Sequence, residues 1–215
     1  MTWFVDFVLH LDSHLIDLVS RYGTWVYAIL FGIVFAETGF VVTPFLPGDS
    51  LLFATGALCA TTALSTPVAL GLLGLAAFSG NAVNYAIGRR IGPRVFSATG
   101  SSSTFDRLLN REHLQQAHTF FEKYGGKAVV LGRFVPIVRT FVPFVAGAAQ
   151  MTPSSFAFYN LVGAAGWVVL CLGAGYLWGN VPWVKDHFSA VTLGIVFISV
   201  LPVAVEFLRA RRNRK

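Results

Sequence analysis

The sequence predicts an all-α polytopic membrane protein: transmembrane helices plus two re-entrant hairpins, arranged as an inverted-topology repeat. Three observations predict it. The 215 residues are 55% hydrophobic and only 12% charged, where a soluble domain carries about 25% charged residues. Apolar runs long enough to cross a bilayer alternate with polar segments. Two further apolar stretches are broken by proline and glycine and carry charge, Glu37 to Gly56 with two acids and Gly132 to Gly147 with two arginines.

The elements follow in chain order. Residues 1–22 read as an N-terminal amphipathic helix. Phe4, Phe7, Val8, Leu11, Leu15, Leu18 and Val19 fall at helical spacing, opposite Asp6, His10, Ser13 and Asp17. This segment is too polar to span, and its early acids are the wrong sign for a secretory leader. His10 and His14 have the spacing of a metal pair, but the acidic face around them reads as solvated, and no metal or other cofactor is expected. Cys59 and Cys171 sit in apolar surroundings as small core residues.

Residues 23–208 form the expected membrane domain. A span over 24–36 leads into a hairpin at about 37–60, with a turn from Pro44 to Gly48 and Asp49 as N-cap of a half-helix. A glycine-rich span follows at 67–88, where Gly71, Gly74 and Gly80 favour close packing and Asn81 and Asn84 favour interhelical hydrogen bonds. A polar region reaches Lys127 and holds an interfacial helix. The second hairpin covers about 128–150, then spans at 156–178 and 188–208, then the basic tail at 209–215.

Charge placement orients the chain. Arg89, Arg90, Arg94, Arg107, Arg111, Lys123 and Lys127 form one basic cluster and the tail another. Both belong on the cytoplasmic side. The two spans between them return the chain to that side only if 128–150 enters and leaves without crossing. The same count puts the N-terminus inside, so both termini are expected to be cytoplasmic. The net charge of +6 flanks apolar segments, which argues against a nucleic-acid partner.

The chemistry concentrates in the broken stretches. Charges at bilayer depth cost roughly 2.5–3.5 kcal/mol each on insertion scales and mark functional sites by default. Glu37 and Asp49 lie in the first stretch, Arg133 and Arg139 in the second. One reading is a pair of structural ion pairs. The other is a substrate and proton site. Guanidinium offers a permanent charge and a planar donor fork suited to phosphate. Helix N-termini beginning near Gly48 and near Thr140 would add backbone donors. A buried carboxylate can exchange protons. Glu37 has no capping role, which makes it the better carrier, with Asp49 second.

Glu37, Pro47-Gly48-Asp49, Tyr85-Ala86-Ile87-Gly88-Arg89, Gly132-Arg133-Phe134-Val135-Pro136-Ile137-Val138-Arg139-Thr140, Pro143 and Ala146-Gly147 resemble the motifs of the DedA family, the bacterial branch of the VTT or SNARE-associated membrane proteins. The resemblance covers about residues 25–180. It implies a multi-pass protein of the bacterial inner membrane, with the two re-entrant hairpins above, that moves lipid between leaflets. Its members include flippases for undecaprenyl phosphate and proteins of proton-dependent membrane homeostasis. The family's essential acids match Glu37 and Asp49, and its essential arginines match Arg133 and Arg139.

The resulting expectation is a transporter of undecaprenyl phosphate or a related phosphate-headed lipid, coupled to protons. Arg133, Arg139, Thr140 and Gly48 would bind substrate, and Glu37 and Asp49 would carry protons. Its partners would be that lipid phosphate, membrane lipids and protons; a homo-oligomer is among the assemblies the sequence allows. The alternatives are a proton or small-ion antiporter serving membrane homeostasis, a phospholipid scramblase, and an assembly factor needing no site charges. An enzyme is not expected: His113, His118 and His187 lie in polar connections with no nucleophile beside them.

Overall fold

The computed structural model describes residues 23–39, 48–61, 64–97, 111–135, 138–179, 181, 182, 184, 191 and 194. The N-terminal amphipathic helix, the turn at 44–47, the basic tail and nearly all of the 188–208 span lie outside them. All regular structure among the described residues is helical: α1 (Trp25–Gly39), α2 (Gly48–Thr61), α3 (Thr66–Ser97), α4 (Arg111–Tyr124), α5 (Lys127–Leu131), a 3-10 turn (Gly132–Phe134), α6 (Val138–Ala148) and α7 (Pro153–Trp178).

Among the described residues two stretches, Thr66–Ile91 and Pro153–Trp178, are long and apolar enough to cross a membrane. At 1.5 Å per residue each reaches about 39 Å, more than a hydrocarbon core of roughly 30 Å. By the same rise α1 reaches about 22 Å and α6 about 16 Å. Both are shorter than that core. The outward faces of α7 are apolar, with Phe158, Leu161, Val169, Leu170 and Leu177 exposed.

The chain forms two compact units. One contains Met1–Ile33, Pro47–Gly74 and Val168–Lys215; the other contains Val34–Leu46 and Leu75–Trp167. In the first, α2 lies backbone-to-backbone on the end of α7. A Cβ at Gly56 would overlap the Leu172 carbonyl, and one at Gly175 would overlap the Phe53 carbonyl. In the second, α6 lies on α3 in the same manner: a Cβ at Gly88 would overlap the Phe144 carbonyl, and one at Gly147 the Tyr85 carbonyl. Gly80 brings α3 against Phe35 and Thr38 of α1. Of the three glycines expected to pack closely, Gly80 does so. Among the described residues nothing lies within 4 Å of a Cβ added at Gly71 or Gly74.

Several boundaries differ from expectation. Helix α1 runs past residue 36, so Glu37 sits on its last turn. Helix α2 begins at Gly48, so Asp49 lies inside its first turn, where its charge faces the helix dipole; it is not the N-cap. Helix α3 continues beyond Arg89 to Ser97 through Pro93. Proline cannot donate to the carbonyl four residues back, here Arg89. Gln150 Nε2 donates to that carbonyl instead, at 3.2 Å. Gln150 has φ +57 and closes α6, while Met151 N–H reaches the Ala146 carbonyl at 3.0 Å and Gln150 N–H reaches Gly147 at 3.0 Å.

The segment 127–148 folds as a helical hairpin. The 3-10 turn ends at Val135, which is extended at φ −110 and ψ 107, as a residue before proline prefers. Its carbonyl then accepts from Arg139 N–H at 2.9 Å. The core around α6 is formed by Phe141, Val142, Phe144 and Val145, with Val129 of α5 and Phe156 of α7. Tyr85 stacks on Phe156 at 4.1 Å between ring centroids, and its hydroxyl donates to the Met151 carbonyl.

Candidate functional site

One cavity in the second unit gathers the charged residues. It is lined by Glu37, Thr38, Asn81, Arg133, Arg139, Thr140 and Trp167, and leaves about 20 Å³ for water centres. That is room for roughly one water. Four elements build it. The last turn of α1 brings Glu37, the middle of α3 brings Asn81, the hairpin brings both arginines, and α7 brings Trp167.

The two arginines are held differently. Arg139, in the first turn of α6, forms an ion pair with Glu37, whose side chain is 1% exposed. Arg133 is also buried, yet its hydrogen-bond partners among the described residues are neutral. Its Nη2 donates to Asn160 Oδ1 at 2.8 Å and to the Ala77 carbonyl at 3.1 Å. Its Nε is buried without a hydrogen-bond partner among the described residues. Both guanidinium carbons lie 5.9 Å from the Trp167 ring centroid, within cation–π range. The break between α5 and α6 thus turns two arginines six residues apart toward one indole.

A buried amide network fixes this arrangement. Asn81 Nδ2 donates to Asn160 Oδ1 at 3.1 Å, and Asn160 Nδ2 donates to the Phe78 carbonyl at 2.9 Å. Asn84 Nδ2 donates to the Thr140 carbonyl at 2.8 Å, which ties α3 to the start of α6. The expected interhelical role of Asn81 and Asn84 is therefore present.

Of the residues expected at the site, Glu37, Arg133, Arg139 and Thr140 surround this cavity. Gly48 and Asp49 belong to the other unit. The Arg139 N–H donates to the Val135 carbonyl. Among the described residues Arg139 pairs with Glu37, and Arg133 is held by Asn160 and the Ala77 carbonyl. Asn160 and Trp167 were not expected. Their signal was weak: an amide inside a span, and a tryptophan at mid-span instead of at the interface, where that residue is commonest. Among the described residues no cluster of three or more His, Cys, Asp or Glu could hold a metal.

The VTT domain family matches residues 46–177. Protein DedA of Escherichia coli strain K12 is 50% identical over 210 residues, 97% of this chain and 94% of that protein. An uncharacterized membrane protein of Mycobacterium tuberculosis is 43% identical over 187 residues, covering 85% of this chain and 79% of its own length. Inner membrane protein YghB of Escherichia coli is 31% identical over 203 residues, covering 94% and 86%. No solved structure matches the chain significantly. A helical chain with two helices of spanning length and relatives named as membrane proteins is itself a membrane protein, and it belongs to the DedA family of VTT-domain proteins.

Proposed function

We propose that the protein moves a phosphate-headed lipid, undecaprenyl phosphate or a close relative, between leaflets of a bacterial inner membrane, coupled to proton movement. One observation carries this reading. A buried arginine with neutral partners stands beside a second arginine that is neutralised by a buried glutamate. The pair is a switch with a chemical trigger. Protonating Glu37 removes the charge that holds Arg139. Both guanidiniums then face one cavity, and their two positive charges match a phosphate monoester of about −1.5 to −2. Deprotonation restores the pair and expels the phosphate. The cavity as described is too small for a phosphate, so the Glu37–Arg139 pair must part before the ligand enters.

Transport is favoured over catalysis because the lining residues comprise an amide, a carboxylate, two guanidiniums, two threonines and an indole, with no histidine or cysteine among them. A proton or small-ion antiporter would use the same ion pair. It would not need the neutrally held Arg133. Protection of the purified protein against heat by undecaprenyl phosphate, and not by salts of small ions, favours the lipid transporter. The reverse pattern sinks it.

The hairpin at 127–148 is proposed to be re-entrant, and residues 37–60 its inverted counterpart. The glycine pairs support this. Gly56 with Gly175 and Gly147 with Gly88 seat a short helix on a long one in each unit. Helix α6 is also too short to span. With Cys59 and Cys171 replaced, Lys123→Cys and Ser154→Cys, one on each side of the hairpin, should both label from the cytoplasm. Labelling of one from outside would make the hairpin a crossing segment.

A further inference from the structure

Helix α7 presents Asn160, Gly163 and Trp167 at spacings of three and four, on one face. All three meet Arg133. Asn160 accepts its Nη2 proton. A Cβ at Gly163 would lie 3.1 Å from its Cδ. Trp167 faces its guanidinium. The Asn160 amide has a defined orientation, because its Nδ2 donates to the Phe78 carbonyl while its Oδ1 accepts from both Asn81 and Arg133. Asn160 is fully buried, so no bulk water competes for these bonds.

A carboxylate in this place would accept the same Arg133 hydrogen bond more strongly. It would also neutralise the charge. With an amide there, the cavity lining holds two guanidiniums and one carboxylate, and one positive charge remains uncompensated. Leaving a buried cation without a counter-ion is costly unless another group supplies the charge. We propose that Asn160 is a positioning residue: it aims Arg133 while keeping it uncompensated, so that an anionic ligand becomes the counter-ion. The inference rests on the phosphate-binding role proposed for this cavity.

The test is Asn160→Asp in the full chain in detergent, titrated with farnesyl phosphate and with inorganic phosphate as probes. Aspartate is isosteric and retains the acceptor for Arg133 but loses the Nδ2 donor to the Phe78 carbonyl, so melting temperature is read beside affinity: a purely structural Asn160 would lower the melting temperature and leave binding by the folded variant unchanged. If Asn160 keeps Arg133 available, the folded variant loses at least about tenfold in affinity for farnesyl phosphate, the scale of one charge-assisted hydrogen bond. Asn160→Ser, which stays neutral, should lose less than Asn160→Asp. Should the aspartate variant not fold, Asn81→Asp, which adds the same charge at the cavity lining, takes its place with the same expected loss. Unchanged affinity in the folded aspartate variant overturns the inference alone. Absence of binding of either probe by the unmodified protein overturns the phosphate reading and the inference with it.

Discussion

Glu37→Gln should bind a soluble polyprenyl phosphate more tightly than the unmodified protein at alkaline pH, with no response to pH, and should no longer transport it in response to a pH gradient. The glutamine imitates the protonated acid. It can still accept a hydrogen bond from Arg139 but no longer neutralises it, so the site holds both guanidiniums ready for phosphate. In the unmodified protein, proton uptake at Glu37 and phosphate binding favour one another. Affinity should therefore rise as pH falls, as far as the second phosphate pKa of roughly 6, below which the phosphate itself takes up a proton. The variant should show a flat profile at the high-affinity end. It should also melt lower, because removing one partner of a buried ion pair costs about 3–5 kcal/mol. A titration at several pH values measures both effects. A variant whose affinity still follows pH as the unmodified protein does would remove Glu37 from the coupling.

Arg133→Lys and Arg139→Lys should each weaken phosphate binding by about ten- to a hundredfold, the range of one or two charge-assisted bonds. Lysine keeps the charge and loses the planar fork. At Arg133 the loss is compounded, since one ammonium must replace a group that meets Asn160, the Ala77 carbonyl and the Trp167 face together. Arg139→Lys retains an ion pair with Glu37, so its binding defect should come with the smaller drop in melting temperature. Both guanidiniums approach one ring from the same cavity, and a shared ligand makes their contributions interdependent. The double change should cost less than the sum of the two. Full affinity in both single variants would show that charge alone suffices. Strict additivity would mean two separate anion sites.

The charged core of this site was legible in the sequence because charge in an apolar run is so unfavourable that it needs a purpose. Glu37, Arg133 and Arg139 stand out for that reason alone. The break before Pro136 was legible too, since proline restricts its neighbour, and Val135 is extended. The partners of Arg133 were not. Asn160 lies 79 positions from Asn81, and nothing local couples two amides on different helices. Asp49 illustrates the converse error. Its place after Pro47-Gly48 resembles a cap, but the helix begins one residue earlier, and chemistry alone does not set such a boundary. Glycine misled in a similar way. Composition marks Gly71, Gly74 and Gly80 alike, while only the crossing partner distinguishes Gly80, packed on Thr38 and Phe35, from two glycines with no described residue beside them.

The central claim is that a phosphate-headed lipid crosses between leaflets at this cavity under control of a proton. Leaflet-resolved assay of undecaprenyl phosphate in proteoliposomes, with and without an imposed pH gradient, tests it most directly. The account predicts transfer that depends on the protein, accelerates with the gradient and is lost in Glu37→Gln. Transfer at the rate of protein-free vesicles, or transfer indifferent to the gradient and to Glu37, would contradict it.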